Sequence, residues 1–344
     1  MSDFRAVTCD SDQAVLVLLA QTLLPGREEV VACVSVDQVV DAIARLVVRG
    51  APALGAVGGY GVVVAMAESE RESWSEDRVA AEVDRIRNAR PTAVNLAWGV
   101  DRVRPLMAQG IAAVLAEADV IAREDEAANR ELSRKGADWI LERVERRPIR
   151  VLTHCNTGSL AATAWGTALG IVRELHARGV LEVVYADETR PLLQGSRLTA
   201  LELHHDGIPY FVQADGAAAS TILRGLVDVA IIGADRIARN GDTANKIGSL
   251  GVALACSAGS IPFVVAAPSS TVDLATATGD EIHIELRDGS EITQIGGVKV
   301  APDGAEGFNP AFDVTPSRFI DAIVTEVAVV EPDGSSPVDA LVNP

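Results

Sequence analysis

Two short segments carry residues that could do chemistry together. Cys155 lies in Thr153-His154-Cys155-Asn156-Thr157-Gly158, directly after the apolar run 149–154. Asp235 lies in Gly233-Ala234-Asp235-Arg236, directly after the very apolar run 229–232. An ionised thiol is a base or nucleophile. A carboxyl at the end of so apolar a strand can be kept protonated near neutral pH and so serve as an acid. Each residue also has a plainer reading: a buried cysteine in a capping loop, and a carboxylate that caps a helix or pairs with Arg236. Asn156-Thr157-Gly158-Ser159 is expected to lead straight into a helix. Thr157, Gly158 and Ser159 would then offer hydroxyls and N–H groups to an anion, aided by the helix dipole. Asn245-Lys246 is expected at another helix start, where an amide and an ammonium could meet a phosphate. Arg49-Gly50-Ala51-Pro52 and Arg90-Pro91-Thr92 set arginines at element boundaries, although a cation at the end of a helix also suits the dipole. His154 adjoins Cys155, but strand alternation turns its side chain to the other face.

The elements that must position these residues read as two halves. Residues 36–49, 91–107 and 111–147 carry helical spacing, preceded by short strands at 14–20 and 29–34 around Pro25-Gly26. From residue 148 the pattern alternates. Apolar runs at 149–154, 182–186, 209–212, 229–232 and 262–266 are separated by helical segments, the signature of a parallel sheet with helices on both faces. The polar residues that end these runs then collect on one sheet edge, where α/β proteins bind ligands. The expected fold is α/β: a Rossmann-like sheet domain over 148–344, preceded by a smaller, mainly helical domain with a short β segment over 1–147. Residues 278–290 read as a loop or edge hairpin, and Thr315-Pro316 as the start of a helix. The glycines of Gly55-Ala56-Val57-Gly58-Gly59-Tyr60-Gly61 do not match a dinucleotide fingerprint and follow a helix, so close helix packing is their expected purpose.

Composition limits the function classes. A net charge of −18 disfavours nucleic acid and anionic membrane as partners. No apolar run reaches the roughly 20 residues of a membrane span. The start, MSDFRAVTCDSD, lacks the basic-then-apolar pattern of a secretory signal, so a cytoplasmic protein is expected. Cys9, Cys33, Cys155 and Cys256 show neither C-x-x-C nor zinc-ligand spacing, so no metal is expected.

Longer motifs run in order along the chain: Arg49-Gly50-Ala51-Pro52-Ala53; Arg90-Pro91-Thr92-Ala93-Val94-Asn95-Leu96; the Cys155 segment; Tyr185-Ala186-Asp187-Glu188-Thr189-Arg190-Pro191 with Gln194-Gly195; Gly233-Ala234-Asp235-Arg236-Ile237; Asn240-Gly241-Asp242-Thr243-Ala244-Asn245-Lys246; and Asn309-Pro310-Ala311-Phe312-Asp313-Val314-Thr315-Pro316. In this set the chain resembles the methylthioribose-1-phosphate isomerase family. The same fold serves the regulatory α, β and δ subunits of a translation-initiation exchange factor, which lack the thiol–carboxylate pair kept here. The resemblance implies an aldose–ketose isomerase of methionine salvage that needs no cofactor and acts, as a homodimer, on a small sugar phosphate. Cys155 and Asp235 would be catalytic. Arg49, Gly50, Ala51, Arg90, Gln194, Asn245 and Lys246 would bind substrate. Sister activities on 5-deoxyribose 1-phosphate and ribose 1,5-bisphosphate, and a non-catalytic regulatory role, stay open. Residues 210–220 and Gly307-Phe308 depart from the family's usual wording.

Overall fold

The computed structural model of the chain describes residues 5–90, 94–332 and 338–342, so Pro91, Thr92 and Ala93 of the second arginine motif lie outside the described residues. The described residues group into two compact units. One, the helical unit, comprises Ser2–Arg130 with Thr157–Gly166; the other, the sheet unit, comprises Glu131–Asn156 with Thr167–Pro344.

The helical unit opens with three antiparallel strands, β1 (Val7–Asp10), β2 (Val15–Leu19) and β3 (Val30–Cys33). Helix α1 (Val36–Ala44) starts at Ser35, whose hydroxyl accepts from the Gln38 N–H, while the Gln38 side chain accepts from the Val34 N–H. This reciprocal arrangement fixes the start of a helix. The helix ends at Ala44, short of the expected residue 49, and Leu46 is left-handed (φ 60°). Helices α2 (Ala51–Glu72), α3 (Glu76–Arg87), α4 (Val94–Val103) and α5 (Ile111–Arg143) follow. By length and composition α2 is apolar enough to cross a membrane, but its side chains are mostly buried in the protein, as in the core helix of a folded domain. Its glycines are there for packing. A Cβ on Gly99 of α4 would lie 2.0 Å from the Gly55 carbonyl oxygen, so the two helix backbones meet almost directly.

The sheet unit takes residues 131–143 of α5. Its strands are β4 (Ile149–Thr153), β5 (Leu181–Asp187), β6 (Tyr210–Gln213) and β7 (Val229–Ile232). Between them run α6 (Ala168–Ala177), α7 (Ala200–His205) and α8 (Ala218–Leu223). After β7 come β8 (Arg236–Ala238), β9 (Thr243–Lys246), α9 (Ser249–Gly259), β10 (Phe263–Ala266) and β11 (Val272–Asp273). The remainder is α10 (Ser290–Thr293), the hairpin β12 (Gln294–Ile295) and β13 (Val298–Lys299), then β14 (Phe312–Thr315), β15 (Ala322–Val324) and β16 (Val329–Val330). The main sheet has the order β16-β15-β10-β7-β4-β5-β6, parallel throughout except for β16. Val229 and Ile231 join a core with α5 and α6. Ala230 and Ile232 join a second core with α8 and α9. Helices therefore cover both faces, and β7 and β10 are buried on both sides, which explains their unbroken apolar runs. Thr315-Pro316 does not open a helix: Thr315 ends β14, and only a 3-10 turn at Ser317–Phe319 follows.

Candidate active site

The chain runs from β4 to β5 and β6 on one side, then returns to place β7 against the other side of β4. The strand order thus reverses between β4 and β7, which makes their carboxyl ends a topological switch point, where open α/β sheets bind ligands. Cys155 follows β4 and Asp235 follows β7, strands that pair through Val151–Val229 and Leu152–Ala230. The expected pair therefore flanks the switch point of the sheet unit. Asp235 neither caps a helix nor pairs with Arg236. It precedes β8, and Arg236 reaches Asp273 at 3.5 Å instead. Among the described residues the Asp235 carboxylate has no hydrogen-bond or ion-pair partner, while its N–H donates to the Ala244 carbonyl at 2.9 Å.

Cys155 is buried and left-handed, with φ 65°. Its N–H donates to Thr189 Oγ1 at 2.8 Å, and its carbonyl accepts from Thr199 Oγ1 at 2.6 Å. The next side chain, Asn156, donates to Thr199 Oγ1 at 3.3 Å and to Glu202 Oε1 at 2.9 Å. Glu202 is fully buried and accepts from Arg173 Nη2 at 2.8 Å, and Arg173 Nε reaches Asp206 at 2.7 Å. Thr189, Thr199, Glu202 and Arg173 carry no local signal in the sequence, because their partners lie tens of residues away.

His154 is also part of this architecture. Thr153 pairs with Ala186, so the residues after β4 and at the end of β5 fall side by side. His154 Nδ1 lies 2.9 Å from Asp187 Oδ2, and Nε2 lies 2.8 Å from the Ile247 carbonyl oxygen. Burial pushes the imidazole toward neutrality. The hydrogen bond and charge of Asp187, with Asp215 behind it, outweigh that and hold His154 above its ordinary range. Burial in turn raises Asp187, against the pull of His154. We place the shared proton on the imidazole, since both ring nitrogens then donate. The parallel register was the signal for this pair. Ligand atoms of His154, Asp187 and Asp215 lie within 4.8 Å of one another. All four carboxylate oxygens of Asp187 and Asp215 already accept from His154, Gln213, Thr189 or Arg190, however, so the cluster reads as a hydrogen-bonded network.

Gln194 is 5% exposed, and its Oε1 is buried with no hydrogen-bond partner, an acceptor left open beside the end of β5. Asn245 and Lys246 are not at a helix start. They end β9, which pairs with β14, and α9 begins at Ser249. Asn245 Nδ2 donates to Ser249 Oγ at 2.8 Å; Lys246 Nζ donates to the Ala311 carbonyl at 2.8 Å and stands 4.3 Å from the Phe312 ring centroid.

The remaining expected residues belong to the helical unit. Gly50 is the N-cap of α2 (φ 97°), with Arg49 before it and Ala51 as the first helical residue. A Cβ on Gly50 would lie 2.1 Å from the Ala161 oxygen, which also accepts from the Ala53 N–H. Thr157, Gly158 and Ser159 do not open a helix, since α6 starts only at Ala168. Their loop is held within the helical unit by Gln21 on the Leu160 carbonyl, Thr163 on Asp125, and Asn129 on the Ala164 carbonyl. The helix start beside this loop is that of α2, so the dipole expected for Thr157–Ser159 belongs to Gly50-Ala51. Arg90 lies at the edge of the described residues, half-buried.

The architecture is thus a doubly wound sheet preceded by a helical segment, with Cys155 and Asp235 beside the sheet's switch point. The chain belongs to the initiation factor 2 subunit (IF-2B) family, whose model matches residues 47–332. Among its relatives, the methylthioribose-1-phosphate isomerase of Alkalilimnicola ehrlichii is 48% identical over 345 residues, 98% of each chain. A probable bifunctional methylthioribose-1-phosphate isomerase/methylthioribulose-1-phosphate dehydratase of Nocardia farcinica is 50% identical over 320 residues, 93% of this chain. The match spans only 58% of the Nocardia protein's length. The solved 5-methylthioribose 1-phosphate isomerase of Pyrococcus horikoshii OT3 superposes with TM-score 0.84 at 37% identity, covering 95% of this chain and 92% of that one. A structure titled translation initiation factor eIF-2B, subunit delta, from A. fulgidus superposes with TM-score 0.84 at 38% identity, covering 99% of each.

Proposed function

We propose that the chain is a methylthioribose-1-phosphate isomerase, converting 5-methylthioribose 1-phosphate to 5-methylthioribulose 1-phosphate in methionine salvage. The placement of Cys155 and Asp235 just after the two strands that flank the switch point carries this reading, together with the isomerase names of the relatives. In the substrate, phosphate on the anomeric carbon blocks ordinary ring opening to a free aldehyde. Asp235 gives a proton to the ring oxygen as the C1–O bond breaks. Hydrogen then passes from C2 to C1, and the C2 hydroxyl gives its proton back to the Asp235 carboxylate as the ketone forms. On one route Cys155 takes the C2 hydrogen as a proton and returns it through an enolate; on the other it moves directly as a hydride. Gln194 Oε1 accepts from a substrate hydroxyl, which supplies the donor that the fold leaves missing. Arg49, the Ala51 N–H at the positive end of α2, Arg90, Thr157, Gly158, Ser159, Asn245 and Lys246 bind the phosphate and sugar. Gly50 gives the backbone its close approach. Residues 148–344 form the catalytic domain, and the enzyme acts as a homodimer in the cytoplasm.

Phosphorus NMR on methylthioribose 1-phosphate, 5-deoxyribose 1-phosphate and ribose 1,5-bisphosphate tests the proposal. Highest kcat/KM on the first supports it. Preference for another keeps the chemistry and changes the substrate. Binding without turnover of any would replace it with the regulatory role. Running the reaction in D2O separates the routes, because only proton transfer washes deuterium into C1.

A further inference from the structure

We propose that Thr189 and Thr199 are positioning residues, a backbone clamp that holds Cys155 in the left-handed conformation from which its thiol acts. A residue with a Cβ seldom adopts φ 65°, and it persists there only when its surroundings over-determine it. Here both polar groups of the Cys155 backbone are taken. The N–H donates to Thr189 Oγ1, and the carbonyl accepts from Thr199 Oγ1. Both threonines are fully buried, at 0% exposure. The sense of each hydroxyl is set by its other partner. Thr189 donates its proton to the Asp187 carbonyl at 2.9 Å, so its oxygen is left to accept. Thr199 accepts from Asn156, so its single proton is left for the Cys155 carbonyl. The two anchors are independent, one in the loop after β5 and the other in the turn before α7. Glu202 and Arg173 brace the second through Asn156. Each threonine acts through the main chain of Cys155.

As far as it concerns turnover, this inference rests on the proposed function; as far as it concerns conformation, it does not. The test replaces each threonine by valine, which keeps the shape and removes the hydroxyl, and by serine, which keeps the hydroxyl. Thermal melting establishes which variants fold. In folded Thr199→Val and Thr189→Val we expect kcat to fall about 10²-fold while KM stays within about threefold, the pattern of a misplaced reacting group. Thr199→Ser and Thr189→Ser should recover most of the rate. Wild-type kcat in a folded valine variant would overturn the clamp. If no sugar phosphate in the panel is turned over, the clamp is read from crystal structures instead. Cys155 should leave the left-handed region in Thr199→Val, and its staying there would overturn the proposal. Should the valine variants not fold, a crystal structure of the unchanged protein lacking either hydrogen bond would do the same.

Discussion

Arg173→Met should be among the most damaging single changes in the sheet unit. The guanidinium side chain is 5% exposed and faces two carboxylates, Glu202 at 0% and Asp206 at 3%. Burial alone would lower its pKa, yet the charges and hydrogen bonds of the two carboxylates outweigh that and raise it. Without it, two buried carboxylates lose the cation that contacts both of them. Breaking such a pair typically costs about 3–5 kcal/mol. In a unit of about 200 residues, where each kcal/mol shifts Tm by about 2–4 °C, the midpoint should fall by roughly 6–20 °C. The triple change Arg173→Met, Glu202→Met, Asp206→Leu removes all three charges and should recover most of that loss, because well-packed apolar groups often replace a buried ionic cluster without penalty. Stability and turnover should then separate. The triple variant also removes the carboxylate that orients Asn156, so its kcat should stay low while its Tm returns. Urea denaturation followed by fluorescence, paired with the isomerase assay, measures both. A stability of Arg173→Met within about 1 kcal/mol of the parent would refute the reasoning, since breaking a buried pair typically costs about 3–5 kcal/mol.

Three further outcomes follow from the geometry. Cys155→Ser and Asp235→Asn should each lose orders of magnitude in turnover with melting curves unchanged; near-normal rates in both would remove the pair from the mechanism. Gly50→Ala places a Cβ 2.1 Å from the Ala161 oxygen at φ 97°, so it should destabilise the helical unit by more than about 1 kcal/mol, and a calorimetric Tm equal to the parent's would contradict this. Asp242 is opposed by burial but held below the usual carboxylate range by the Ser317 N–H, the Asn240 amide and the Gly279 N–H. Its folded pKa is depressed, so its contribution is present above about pH 4 and is lost as pH falls through the lower folded value. Asp242→Asn should therefore flatten the acid limb of a stability–pH curve, and an unchanged limb would show that Asp242 does not set it.

The parallel sheet was legible because strands buried on both faces leave unbroken apolar runs, and 229–232 coincides with β7. The placement of Cys155 and Asp235 followed from where those runs stop. What escaped the sequence depends on distant partners. The alanine-rich loop after Asn156 has helical composition, but Gln21, Asp125 and Asn129 hold it in another form from well outside its own window. Asn245-Lys246 was expected to start a helix because β8 and β9 form a short hairpin inserted between β7 and α9, too brief to show strand alternation. His154 was set aside on strand-face grounds, whereas the register of β4 on β5 brings it beside Asp187. Arg173 lies 29 residues before Glu202 and 33 before Asp206, with β5 between them, and no local pattern announces the trio.

The solitude of the Asp235 carboxylate has a mutational consequence. The fold holds this group in place through its backbone but asks nothing of its side chain. Replacing this side chain in a single step would therefore leave the hydrogen bonds that hold the β7–β8 backbone intact.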